Sequence, residues 1–275
     1  MKSTFEGRIA FIGGGNMAQA LIGGLLSQGL KASRIVVSEP VAALREQLSA
    51  RGVHVTADNV QAVSQADVVV LAVKPQVMGE VLASLQTVMN NQLVLSIAAG
   101  LTTSTLSKML GGYARIVRAM PNTPALVQTG ATGLYAGDAV STDDRQLAHQ
   151  LLSATGMVLW VADEDQMHAV TAVSGSGPAY FFYWMESMIA AGQALGLDEK
   201  TARDLTLQTA LGAAQMAITS GDSPARLRQN VTSPNGTTQA ALESMAASQF
   251  PQLIEQALKA AADRSVTLST ALDQI

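Results

Sequence analysis

The sequence contains no cysteine, which excludes disulfides, thiolate nucleophiles and cysteine-ligated zinc. Its three histidines, His54, His149 and His168, lie far apart in the chain, so no protein metal site is expected. Charge is also scarce: charged residues fill 14% of the 275 positions, against roughly 25% in an average globular protein. With a net charge of −4 and no cluster of Lys and Arg, nothing offers itself to a phosphate backbone, and nucleic acid is not an expected partner. Long apolar runs are missing as well. Stretches such as Val68 to Val73 and Ala179 to Met185 fall far short of the roughly 20 residues that span a bilayer, so no membrane partner is expected. A strand-like run begins at Arg8 behind a short polar start, which leaves no room for a signal peptide, and the expected location is the cytoplasm.

What is abundant is apolar surface. Apolar residues make up 48% of the chain and mean hydropathy is +0.23, so the surplus must be buried inside the protein or between subunits. The first 160 or so residues alternate short β-branched runs with longer helical patterns, the signature of a parallel sheet with helices on its faces. Strands are predicted at Arg8 to Ile12, Arg34 to Val37, Val53 to Thr56, Val68 to Val73, Leu93 to Ile97 and Ile116 to Ala119. Two further runs, Thr132 to Tyr135 and Met157 to Val161, flank a helix opening at Ser141 with Asp144 as its N3 residue, and extend the sheet at one edge.

From Ala162 the alternation ends and Ala, Leu, Met and Gln-rich patterns take over. Helices are predicted at about 164–173, 178–195, 199–220, 224–229, 237–247 and 251–268, with Asp163, Asp198 and Ser223 as N-caps. The expected fold is thus an α/β domain over 1–162, a doubly wound and mainly parallel sheet, followed by an all-helical domain over 163–275. Tyr180, Phe181, Phe182, Tyr183, Trp184 and Met185 make one helix apolar all round. Too few residues surround it to cover it, so it is expected to pack against another chain. The methionines, among them Met185, Met188 and Met216, read as flexible core filler.

Behind the first strand comes Gly13-Gly14-Gly15-Asn16-Met17-Ala18, a G-x-G-x-x-A, and then a helical pattern. Gly13 suits the tight turn, Gly15 lets backbone approach a pyrophosphate, and the helix start supplies amide donors, which points to a Rossmann-type NAD(P) domain. The second strand ends at Ser38-Glu39, about 20 residues beyond the motif, where such domains place a ribose reader. Glu39 suits an unmodified ribose, or is a solvated residue before Pro40. Ser38, with Arg34 and Arg45 as basic neighbours, suits a 2′-phosphate. Ala72-Val73-Lys74-Pro75 and Ala98-Ala99 follow the fourth and fifth strands, whose carboxyl ends face the ligand crevice, although Lys74 equally reads as an ordinary helix-start lysine. Arg118 to Pro124, stiffened by two prolines, reads as a ligand loop or as a structural turn.

Taken together, Gly13 to Met17, Ala72 to Pro75, Arg118 to Pro124, Val173-Ser174-Gly175-Ser176-Gly177-Pro178-Ala179-Tyr180 and Ser233-Pro234-Asn235-Gly236-Thr237-Thr238 resemble the Δ1-pyrroline-5-carboxylate reductase family over essentially the whole chain. Asn235 departs from the glycine usual there, and since Asn tolerates positive φ the same backbone is expected. The resemblance implies an NAD(P)H-dependent reductase of proline biosynthesis, with a helical domain that interlocks with its mate in a dimer and dimers that assemble further. It implies cofactor contacts from the Gly13 loop, Ser38, Asn59, Ala72, Lys74, Ala98 and Asn230, and substrate contacts from Glu164, Thr237 and Thr238.

The substrate carboxylate needs an anion site, and the amides of Gly236, Thr237 and Thr238 can supply one at a helix start. The alternative is that Thr237 is a simple N-cap. A protonated cyclic imine is already an electrophile, so no strong general acid is required, and Thr238 is the candidate to hydrogen-bond the ring nitrogen. Glu164 at the start of a helix also suits its dipole, and His168 reads as a packed or solvated residue. Two alternatives stand beside this reading. A β-hydroxyacid or 6-phosphogluconate-type dehydrogenase would need a lysine that is absent between Val173 and Leu197, and a dinucleotide-sensing protein would not need the Ser233 to Thr238 segment.

Overall fold

The computed structural model describes residues 5–273, which form two compact units, 5–176 with 261–273 and 177–260. The first holds an eight-stranded sheet built from β1 (Ile9–Ile12), β2 (Ile35–Ser38), β3 (His54–Thr56), β4 (Val68–Leu71), β5 (Leu93–Ser96), β6 (Ile116–Met120), β7 (Gly130–Ala136) and β8 (Gly156–Trp160). The order is β3-β2-β1-β4-β5-β6-β7-β8. All neighbours are parallel except β6 and β7, so the doubly wound, mainly parallel sheet and its extension at one edge are as expected.

Period-two alternation sorts the strand side chains into two cores. Ile9, Phe11, Val68 and Val70 join Leu21, Ile22 and Leu25 of α1 (Asn16–Ser27) and Leu151 of α6 (Thr142–Leu152) on one face. Ala10, Ile12, Val69 and Leu71 join Ala62 of α3 (Asn59–Val63), Met78 and Leu82 of α4 (Pro75–Leu85) and Leu106 of α5 (Thr103–Met109) on the other. Covered on both faces, β1 and β4 have no polar alternation. A further helix, α2 (Ala42–Ser49), follows β2. Helix α6 opens as expected, with Ser141 Oγ accepting from the Asp144 amide at 3.1 Å.

The helix expected over 164–173 is broken. Helix α7 (Gln166–Val170) starts two residues late, and Thr171–Gly175 winds into a π-turn. At its start the Asp165 amide donates to Asp163 Oδ1 at 3.0 Å, so Asp163 caps a turn before the helix. At its end Thr171 and Ser174 hydroxyls donate to the carbonyls four residues back, at 2.7 and 2.9 Å, and loosen the ladder. Buried Met167 and Ala172 belong with the sheet unit, as does the end of α12 (Phe250–Leu272), where Ser265 and Ser269 are buried. The compact units are therefore drawn differently from a division at residue 162.

The second unit contains α8 (Gly177–Ala194), α9 (Glu199–Thr219), α10 (Pro224–Asn230), α11 (Thr237–Ala247) and the first half of α12. Asp198 and Ser223 cap α9 and α10 as expected, accepting from the amides three residues on at 3.0 and 3.2 Å. Helices α8 and α9 pack closely where Gly192 meets Ala202. Phe181, Phe182 and Tyr183 of α8 stay exposed in the single chain. So do Met188 and Met216, which corrects their reading as core filler.

Candidate functional site

The crevice of an open parallel sheet opens where the strand order reverses, outside the carboxyl ends of the strands, here beyond β1 and β4. Gly13 leaves β1 at φ +98°, and a Cβ there would sit 2.7 Å from the Ala72 carbonyl oxygen, so only glycine permits this turn beside β4. Its amide donates to the Ser38 carbonyl at 2.8 Å, which fixes the turn against the end of β2. Gly15, the N-cap of α1, has open space around it and no side chain caps the helix. No acidic residue occupies the first turn of α1. The free α1 amides and the open approach at Gly15 fit a pyrophosphate. Asn16 is exposed and Met17 half-buried at the same helix start.

At the end of β2, Ser38 Oγ donates to Asn59 Oδ1 at 2.6 Å, bringing together two residues 21 positions apart. Glu39 is not solvated, since it is only 6% exposed. Its Oε2 accepts from the Gly14 amide at 2.8 Å and its Oε1 from the Val41 amide at 3.0 Å. Of the two arginines expected beside Ser38, one is displaced and the other stays at this end of β2. Arg34 lies at the opposite end of β2, next to Arg8 and His54. Arg45 donates to the carbonyls of Glu39 and Pro40, at 2.6 and 2.8 Å.

Strand β4 ends at Leu71, so Ala72 and Val73 form the loop to α4, with exposed Lys74 at its N-cap and Pro75 at its first position. Strand β5 likewise ends at Ser96, and the loop beyond it carries buried Ala98 and exposed Ala99. Gly13, Gly15, Asn16, Met17, Ser38, Glu39, Asn59, Ala72 to Pro75, Ala98 and Ala99 thus all lie at or beyond carboxyl ends of the sheet.

Sequence reading missed the partners of Glu164. The residue precedes α7, so it is not helical and does not complement the α7 dipole. Its carboxylate accepts from the Thr103 amide at 2.8 Å and the Thr103 hydroxyl at 2.7 Å, at the start of α5. It also pairs with Arg118 of β6 at 3.1 Å, a guanidinium almost wholly buried. No local signal could have found this triad, because its members are 15 and 46 residues apart. In the Arg118 to Pro124 segment, Arg118 to Met120 end β6 and the residues beyond form a braced turn: Asn122 Nδ2 donates to the Ser174 carbonyl at 3.0 Å and its Oδ1 accepts from the Ala131 amide at 2.8 Å. His168 Nδ1 meets Ser265 Oγ at 2.9 Å, and burial, followed by the nearby Arg118 charge, holds the imidazole below its ordinary pKa.

In the helical unit Asn235 adopts φ +57°, the conformation expected of a glycine replacement. The Gly236 amide donates to the Ser233 carbonyl at 3.1 Å within the turn, so it is not free for an anion. Gly236 is the N-cap of α11, and Thr237 and Thr238 take its first two positions, so Thr237 is not the cap. Their amides make no hydrogen bond among the described residues and remain available. Asn230, also in this unit, is the exposed last residue of α10.

Comparison with known proteins agrees with this geometry. Residues 164–268 match the family model for pyrroline-5-carboxylate reductase dimerisation, and residues 8–100 match that for NADP oxidoreductase, coenzyme F420-dependent. The pyrroline-5-carboxylate reductase of Pseudomonas aeruginosa is 54% identical over 269 residues, 97% of this chain and 98% of its own. The chain belongs to the pyrroline-5-carboxylate reductase family. It is an oxidoreductase with the fold of that family. The solved reductase of Coxiella burnetii superposes with a TM-score of 0.93 at 45% identity, covering 96% of this chain and 99% of the other. That of Plasmodium falciparum, solved with NADP bound, gives 0.85 at 29% identity, covering 96% and 98%. Among the described residues, no helix is long and apolar enough to cross a membrane.

Proposed function

We propose that this chain reduces 1-pyrroline-5-carboxylate to L-proline with NADPH or NADH. The observation that carries the reading is the uncapped, open start of α1 behind Gly13 to Gly15, in a chain whose full-length relatives are pyrroline-5-carboxylate reductases. When bound, the reduced nicotinamide supplies the hydride. Gly13, Gly15, Asn16 and Met17 hold the pyrophosphate, and Ser38 and Asn59 meet the adenosine ribose, while Glu39 borders that end. Ala72, Val73, Lys74, Pro75, Ala98 and Ala99 border the nicotinamide half, and the resemblance adds Asn230 as a cofactor contact.

The substrate carboxylate is received by the Thr237 and Thr238 amides next to Gly236, where the α11 dipole favours a negative charge. The Thr238 hydroxyl orients the ring nitrogen. The imine arrives protonated and leaves as a basic amine, so the chain has only to position it. Glu164, its carboxylate already engaged by three donors, is the further substrate contact that the resemblance assigns. The hydroxyacid dehydrogenase alternative lapses, since no Lys, Arg or His lies between Val173 and Leu197. A sensor lapses with it, as it would have no use for a carboxylate site.

The relatives' dimerisation region supports a homodimer, which the resemblance extends to a ring of dimers. Dependence on reduced nicotinamide supports a cytoplasmic location. The test is consumption of NADPH and of NADH by the purified chain with pyrroline-5-carboxylate, with proline measured as product. Growth of a proline auxotroph carrying the chain is the parallel outcome in cells. Cofactor consumption without proline would overturn the reading.

A further inference from the structure

The acidic residue that ends β2 in a dinucleotide-binding sheet ordinarily accepts hydrogen bonds from the adenosine ribose. Glu39 occupies that position, yet its carboxylate is turned inward. One oxygen takes the Gly14 amide at 2.8 Å and the other the Val41 amide at 3.0 Å, and the residue is only 6% exposed. Its own backbone is held on both sides, the amide by the Thr56 carbonyl at 3.0 Å and the carbonyl by Arg45 at 2.6 Å. The carboxylate therefore cannot swing to a ribose without leaving two amides unpaired in a buried place.

The partner side is equally fixed. Gly14 is the middle residue of the glycine turn. Its amide is held by Glu39 and its carbonyl accepts from Gln19 Nε2 at 3.0 Å. A Cβ on Gly14 would stand 2.6 Å from Leu48 Cδ1, so α2 closes directly over this residue. Gly13 is anchored to the Ser38 carbonyl, and only Gly15 is left open. The carboxylate thus fastens the turn to the end of β2 at the one residue that neither strand nor helix bonding secures.

We propose that Glu39 is a positioning residue that holds the glycine turn in its phosphate-accepting form and takes no part in choosing between cofactors with and without a 2′-phosphate. That choice falls to the Ser38 and Asn59 pair with Arg45, whose Nη1 is held at the Glu39 and Pro40 carbonyls, while Arg34 stands at the far end of β2. The inference rests on the glycine turn being the cofactor site.

The test uses the full-length enzyme and its Glu39→Gln and Glu39→Ala variants. Dissociation constants for NADPH and NADH are read from nicotinamide fluorescence, and exchange of the Gly14 and Val41 amides is measured without cofactor. Glu39→Gln keeps the shape but presents an NH2 group to one of the two amide donors, so it tests the idea even if Glu39→Ala folds poorly. Both dissociation constants should rise together by about tenfold, with their ratio held within about twofold and kcat nearly unchanged, as expected for a lost charge-assisted hydrogen bond that acts on binding. Exchange at Gly14 and Val41 should quicken in the same variants. A shift of the ratio toward NADPH, with Gly14 exchange unchanged, would make Glu39 a ribose reader and overturn the assignment. If the wild-type protein bound neither nucleotide, the cofactor reading itself would fall and the assignment with it.

Discussion

Thr238 stands at the second position of α11 with its amide free, so its hydroxyl and its backbone can serve different parts of one substrate. Removing the hydroxyl leaves the anion-receiving amides in place. Thr238→Ala should therefore lower kcat by about 5- to 150-fold, the equivalent of roughly 1 to 3 kcal/mol, with a smaller effect on KM for the cofactor. Thr238→Ser keeps the hydroxyl and should retain most activity. Steady-state kinetics of the two variants decide the matter, and wild-type turnover by Thr238→Ala alongside an inactive Glu164→Ala would move the role to Glu164 or a water it holds. Thr238 and Glu39 are legible in the sequence as residue types at telling positions, but which way the Glu39 carboxylate turns depends on the amides that the fold brings to it.

Helix α5 is pinned at its first residue by a carboxylate from beyond β8, and that carboxylate also neutralises the buried Arg118 of β6. Cutting Glu164 back to alanine would strand a guanidinium away from water, at a cost on the order of 3 kcal/mol. Replacing both partners, as Arg118→Met with Glu164→Leu, should cost less than Glu164→Ala alone. Denaturant unfolding of the wild type and both variants checks this. A single mutant as stable as the double would show that the pair is not coupled.

Helices α7 and α12 are joined by His168 and Ser265. The imidazole has a lowered pKa, caused first by burial and then by Arg118, with Asp165 and Glu164 opposing. The folded protein thus holds fewer protons on this residue than the unfolded chain does. Its contribution is fully present above the ordinary histidine value of about 6.5 and is lost as pH falls from there toward the folded value. Thermal unfolding should show Tm dropping between pH 7.5 and 5.5, by less in His168→Gln. An equal drop in both would place the titration elsewhere.

At the scale of the whole molecule, the single chain leaves Phe181, Phe182 and Tyr183 of α8 exposed, with Leu205 and Leu211 of α9 and Leu253 of α12. Aromatic side chains of this kind bury about 150 to 250 Å² each, far too much to leave in water on one helix. The protein should sediment as a dimer or larger at micromolar concentration, and Phe182→Glu should give a poorly folded or aggregating chain. A folded, active monomer would overturn the dimer.

The sequence by itself determined the strands and their order of appearance, the glycine turn, the change of character near Ala162 and the family. Each of these is written in local chemistry: β-branched runs for buried strands, glycine where a Cβ has no room, and the switch from period two to helical spacing. Asn235 at positive φ and the caps at Ser141, Asp198 and Ser223 belong to the same class, because a turn or a cap is closed within four residues. Only the tertiary structure decided the inward Glu39, the displacement of Arg34 from Ser38 and the Glu164, Thr103 and Arg118 triad. Those depend on which groups distant in sequence meet in a buried place, where an unpaired charge or amide costs so much that the partner fixes the orientation.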